Sequence, residues 1–460
     1  LHKFKFLFAA LSVVLVLQGC GNKSTDNSSE AKSGESAATA GVAGTDKPTG
    51  SLSVYAFKGG YGIDFYQQAA KEFDAKNSGL TTTVQGDPRV WEELQPMFVA
   101  GTPPDLVFPG WGFDHWTAVA ENQIMDLDPA LDAPAFDGKG KWRDTFEPSL
   151  LALGQQDGKQ YVLPYYFNVM GWWYDPNVFA KNGWTVPKTF DDLLALCAKI
   201  KSKGMAPITY QGKYPYYMME GMILPWALSV GGIEAVNAAQ NMEPGAWKSP
   251  AILKSVQMIK QLSDAGYFEN GATAMSHTES QSEFLNGRAA MIPCGTWLYS
   301  EMQKVMPPGA KMEFMLPPVV AGGKGDPTAL LIGIEPWMVP SKAKNANAAI
   351  ALYRYMTSLD KAKQFVREKG TLMAIKGSEE TQLPEVLKTP LQYFKASKTV
   401  YADQFRNWYP DFEKELENAL TSLLNNQSTP EQFCDRVEAA AQKVRDGWED
   451  ESIHKHKVNG

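Results

Sequence analysis

Between residue 51 and about residue 320, short apolar runs alternate with stretches whose apolar residues recur at helical spacing, joined by short connections. Parallel strands need such crossovers, so the pattern restricts the chain to an α/β architecture. The first unit is the most legible. Residues 51–57 read as a strand, and after a glycine-rich turn Phe65, Ala69, Ala70 and Phe73 form one apolar stripe. That stripe predicts a helix stopping at Asn77, Ser78 and Gly79, with Asp64 and Gln67 as a capping box. A strand over residues 81–84, a helix over 91–99, a stop at Gly101-Thr102-Pro103-Pro104 and a strand over 105–108 complete it. Ligands bind beyond the carboxyl ends of strands in such sheets.

A second unit begins near Tyr161, with a long strand over residues 165–174 and a strong helix over 190–203. Helices over 250–265 and 277–286, a strand over 289–293, an apolar run over 329–339 and a mostly helical C-terminus follow. No internal repeat at a fixed period is visible.

The first twenty residues bear on location instead of fold. Lys3 and Lys5 precede an apolar run over residues 6–17, then Leu17-Gln18-Gly19-Cys20. The run is well short of the roughly 20 residues that span a bilayer, and small residues before a cysteine suit signal-peptidase cleavage. The expectation is a signal peptide over 1–19 and a lipidated Cys20 carrying at least two acyl chains, the number that anchors stably. Residues 20–50, nearly all small, polar or charged, read as a disordered tether, which leaves about 410 residues to fold.

The net charge is −7, and loss of the two leader lysines makes it −9, so nucleic acid is excluded as an expected partner. Neither a second long apolar run nor a basic cluster predicts further membrane contact. Cys197, Cys294 and Cys434 allow one disulfide at most, and the sequence does not choose the pair. No zinc spacing is present, so neither a metal nor a cofactor is expected. GxSxG and HExxH are absent, and Lys58-Gly59-Gly60-Tyr61-Gly62 lacks the phosphate-loop order, so no enzyme is predicted. A pair of glycosidase carboxylates among the 51 acidic residues stays open as the rival reading, beside a surface adhesin.

What stands out is aromatic residues bunched with polar ones: residues 57–66, 111–116, 165–174 and 210–217. Aromatic faces cover the C–H face of a pyranose, each pairing adding about 0.5–1.5 kcal/mol on the aromatic-pair scale, while amides, carboxylates and lysines bond its hydroxyls. With 53 Phe, Trp and Tyr, many must be core instead. Strand alternation puts Trp172 and Tyr174 on one face and Trp173 on the other; Trp172 is assigned to the cleft. Gly212 and Pro215 break any regular helix, so Tyr210, Lys213, Tyr214 and Tyr216 are expected in a loop too polar to bury, facing ligand. Trp297, after Pro293-Cys294-Gly295-Thr296, and Trp408 are stacking candidates, as is Trp111. Glu335 interrupts an apolar run, where an unpaired carboxylate is costly, so either a base or a hydroxyl-rich ligand satisfies it. Asp114 and His115 read as a solvated turn.

At these clusters the chain resembles the extracellular solute-binding proteins of sugar ABC importers, over nearly all of residues 51–450. The resemblance rests on residues 98–107, on Gly287 through Trp297, and on Trp408 followed by a helix and residues 425–431. Residues 57–62, 210–218 and 243–248 look like the N-acetylglucosamine and diacetylchitobiose binders of that family. It implies a bilobed periplasmic-binding-protein fold: two α/β lobes with parallel-rich sheets, joined by a three-segment hinge near residues 166–169, 332–336 and 375–390. The first lobe would comprise 51–166 and 336–380, the second 167–332 and 385–460. It further implies a monomeric receptor, anchored outside the membrane by Cys20, that passes a small carbohydrate to ABC permease subunits. By position in the pattern, Trp297 and Trp408 match stacking aromatics, residues 210–217 a polar and aromatic wall, and Lys58 to Tyr61 a hydroxyl-binding loop. Asn168 and Glu335 lie at the crossings.

Overall fold

In the computed structural model, residues 42–458 are described, Asn407 excepted. The predicted leader, Cys20 and most of the tether lie outside them. The first sheet follows from the first sequence unit. Strand Gly50–Phe57 lies between Leu80–Asp87 and Leu106–Phe108, parallel to both, with Val54 opposite Val84 on one side and Leu106 on the other. Helix Asp64–Lys76 buries Phe65, Tyr66, Ala69, Ala70 and Phe73, the predicted stripe plus one tyrosine. Its capping box is absent. Ile63 is the N-cap without a side-chain bond, and Asp64 pairs with Lys369 at 2.7 Å instead.

The larger sheet runs in the order Val400–Tyr401, Leu330–Trp337, Leu163–Tyr174, Ala289–Gly295, Ala206–Ile208. It is mixed. The outer pairs are parallel, while the central strand is antiparallel to Leu330–Trp337, to Ala289–Gly295 and to the short strands Glu313–Met315 and Leu372–Met373. All but the last residue of the central strand is buried, as a strand covered on both faces requires. Gly171 is obligatory there, because a Cβ would meet the Phe314 ring at 2.1 Å.

Two apolar clusters fill the interior. One gathers the first sheet, its helix and Tyr165, Trp337 and Tyr353; the other gathers Trp172, Trp226, Trp247 and the C-terminal helices Pro410–Leu424 and Pro430–Glu449. Neither keeps to one expected lobe: Phe113 and Trp116 join the C-terminal helices, and Ile292 and Leu298 join the first sheet.

Residues 43–46, which composition assigns to the tether, are docked on the fold. The Arg354 guanidinium, stacked 4.8 Å from the Trp142 ring centroid, donates to the carbonyls of Gly44 (2.6 Å) and Ala43 (2.7 Å), and Asn347 donates to that of Asp46. Those polar backbone groups are held by one buried base and one amide, which composition cannot register. Cys197, Cys294 and Cys434 are all buried and free. Among the described residues no helix is long and apolar enough to cross a membrane, and no group of three His, Cys, Asp or Glu is placed to hold a metal.

Candidate functional site

The two long antiparallel strands meet at a local irregularity. Ile334 pairs with Phe167 and Pro336 with Pro164, so the register shifts at Glu335 and turns its side chain out of the ladder. Asn168 Nδ2 donates to Glu335 Oε1 at 3.3 Å, Thr296 Oγ1 donates to Asn168 Oδ1 at 3.2 Å, and the Val169 N–H donates to Thr296 Oγ1. This chain of bonds links both strands to the end of Ala289–Gly295. Burial pushes the half-buried Glu335 carboxyl up to about 8, against the pull of the Arg406 guanidinium. The shift favours the neutral carboxyl near pH 7.

Tyr61, Tyr66 and Tyr166 lie near it, and further rings line the adjoining elements. Tyr61 meets Tyr166 edge-on at 4.9 Å, and burial, with the Glu335 and Glu301 carboxylates nearby, pushes its phenol up to about 12. Trp297 folds back over Gly295, where a Cβ would meet the indole at 1.9 Å, and meets Tyr217 at 5.9 Å. Glu301, which accepts from Gln281 at 2.8 Å, lies across from the Gly60 backbone. On another side Arg406 pairs with Glu220 at 3.2 Å, with its guanidinium 4.2 Å from the Tyr216 centroid and 6.0 Å from that of Trp111. Trp111, 56% exposed, leans on Trp91. Burial and the Asp403 carboxylate raise Glu220 well above the ordinary carboxylate range, while Arg406 opposes them.

Tyr61, Asn168 and Glu335 are thus brought together, Trp297 directly follows the Thr296 that bonds Asn168, and Trp111 and Tyr216 both face Arg406, whose charge reaches Glu335 through space. The remaining candidates go elsewhere. Trp172 is fully buried and donates Nε1 to the Gly221 carbonyl at 2.9 Å, so the strand's other face is no freer than the first. Trp408 is 5% exposed beneath His456. The 210–217 loop is not a solvent-facing wall. Tyr210 is buried against Phe268, and Gln211 donates to the Pro293 carbonyl and so pins the loop to the sheet. Lys213 and Tyr214 stay at the surface, beside Glu279 and His277, and Lys58 is exposed. Asp114 and His115 are not a solvated turn either. Asp114 caps helix His115–Ala120 by accepting from the Thr117 N–H, and burial lowers His115 to about 4.

Sequence reasoning missed Arg406, Glu220, Glu301 and Thr296. A signal existed for two of them. Glu220 interrupts an apolar run just as Glu335 does, and Arg406 stands inside the aromatic segment that drew attention to Trp408.

Comparison with known proteins agrees with this architecture. The family described as bacterial extracellular solute-binding protein matches residues 68–394. The diacetylchitobiose binding protein NgcE of Streptomyces coelicolor is 27% identical over 425 residues, covering 88% of this chain and 86% of that one. The multiple sugar-binding protein of Streptococcus mutans is 24% identical, over 77% of this chain and 81% of its own. A solved chitin oligosaccharide binding protein superposes with a TM-score of 0.74 at 22% identity, covering 87% of this chain and all of that one, which establishes a shared bilobed α/β fold.

Proposed function

Because the chain belongs to the bacterial extracellular solute-binding proteins, we propose that it is the sugar receptor of an ABC importer, taking N-acetylglucosamine or its short β-1,4 oligomers between two closing lobes. The observation that carries this reading is the half-buried Glu335 carboxyl, which among the described residues accepts a hydrogen bond from Asn168, lies near Tyr61 and Tyr166, and is pushed by burial toward its neutral form. A neutral carboxyl offers both an O–H donor and an acceptor to sugar hydroxyls or an acetamido group, and the rings offer stacking faces. The likeness to a diacetylchitobiose binder and to a chitin oligosaccharide binder supports the amino-sugar class.

The lobes would be residues 51–166 with 336–380, and 167–332 with 385–460. The crossings then fall where the two long strands pair, with Tyr61 and Trp111 on one lobe and Trp297 and Arg406 on the other. Sugar touching both lobes favours closure by its differential affinity alone, and no covalent chemistry is required. The receptor works as a monomer, delivers sugar to permease subunits, and is held at the membrane by a lipidated Cys20.

Calorimetric titration with N-acetylglucosamine, its β-1,4 oligomers, maltose and xylo-oligomers, followed by product analysis, tests the reading. Binding of the amino sugars with intact product is expected. Binding only another sugar would overturn the ligand, and cleavage would restore the glycosidase.

A further inference from the structure

Helix Pro430–Glu449 ends at Asp450, and a charged segment follows it. It turns back onto the protein. Ile453 covers Gly447, where a Cβ would meet its Cδ1 at 2.6 Å, and Lys455 Nζ lies 4.9 Å from the Trp448 ring centroid. Beyond Lys455 the segment leaves its own helix. His456 is 3% exposed and stacks on Trp408 at 5.2 Å and 22°. Its backbone N–H donates to the Tyr409 hydroxyl at 3.0 Å, and the Val458 N–H donates to Asn241 Oδ1 at 2.7 Å. On its far side His456 Nε2 lies 3.4 Å from Thr117 Oγ1, and His454 Nε2 lies 3.7 Å from Glu121. Trp408, Tyr409 and Asn241 fall in the proposed second lobe, whereas Thr117 and Glu121 fall in the first.

We infer that residues 451–458 form an interlobe strap that favours the closed arrangement and so strengthens ligand binding. The inference rests on the proposed lobe boundaries. A contact made only when the lobes are together raises the closed fraction, and a ligand that needs both lobes binds more tightly by that factor. His456 is the positioning residue, because its ring lies between Trp408 of the second lobe and Thr117 of helix His115–Ala120 in the first, while its backbone is held by Tyr409.

Two variants, a chain ending at Asp450 and His456→Ala in the intact chain, test the strap with small-angle scattering in the absence of sugar and titration with N,N′-diacetylchitobiose. The truncated chain is expected to show a larger radius of gyration and roughly tenfold weaker binding, within the usual span of coupling between separate sites. His456→Ala is expected to move both readouts in the same direction and by less. A tail that merely stabilises its own helix would leave the radius of gyration unchanged in both variants, and that result overturns the strap. Tighter binding after truncation would also overturn it, because the segment would then compete with sugar. If the intact chain binds no diacetylchitobiose, the ligand reading has failed, and scattering still decides the strap. Should the truncated chain not fold, His456→Ala decides alone.

Discussion

Glu220 and Glu335 both interrupt apolar runs, and both are carried by burial above the ordinary carboxylate range, yet the protein treats them differently. Glu220 has a base in contact: Arg406 at 3.2 Å, itself flanked by Glu413 at 3.5 Å and by the Tyr216 face. Glu335 has an amide, Asn168, at 3.3 Å, and feels Arg406 only through space. A buried carboxyl paired with a base within the fold is answered by the structure itself, whereas one left with spare hydrogen-bonding capacity beside aromatic rings is available to a ligand, the role proposed above for Glu335. Sequence cannot make this distinction, because it does not reveal which carboxylate Arg406 reaches.

The comparison breaks first at the base. Arg406→Met is expected to cost about 3 kcal/mol or more, because it leaves Glu220 buried without its cation. Urea denaturation measures this, and a loss under 0.5 kcal/mol would mean that Glu220 needs no partner. Glu220→Gln should cost less, about 1–2 kcal/mol by the same measurement, since Arg406 keeps Glu413 and the Tyr216 ring.

Glu335→Gln should behave in the opposite way, with little loss of stability at pH 6 and a loss of about tenfold or more in sugar affinity. Unchanged affinity would remove Glu335 from the site. The pH dependence sharpens the contrast. The folded carboxyl titrates near 8 and the unfolded one near the ordinary 4.5, so the folded state binds the extra proton between them. Stability from this group is therefore fully present below about 4.5, falls as pH rises and is lost above about 8, with a slope of at most about 1.4 kcal/mol per pH unit. Glu335→Gln removes that slope, so thermal midpoints of the two proteins should diverge in the variant's favour from pH 6 to 8.5.

The smallest effect is expected at the surface. Lys213→Ala breaks an exposed 3.5 Å pair with Glu279 and should change stability by less than about 0.5 kcal/mol, with sugar affinity unaltered. A clear loss of affinity would return the 210–217 loop to the cleft.

Alternating periodicity alone determined the α/β class, the first parallel sheet and helices such as Asp64–Lys76 and Pro250–Asp264, because a stripe such as Phe65, Ala69, Ala70 and Phe73 has only one way to hide its apolar side. Residue type alone also singled out Glu335, since a carboxylate in an apolar run must be answered by something. Tertiary structure decided what answers it. It sent Tyr210, Trp172 and Trp408 into the interior, docked residues 43–46 on Arg354 and Asn347, and brought Arg406 beside Glu220 and His456 beside Thr117. The last two pairs join residues 186 and 339 positions apart in the chain. Local spacing carries no trace of partners so remote, and burial of an aromatic ring depends on what the rest of the fold places over it.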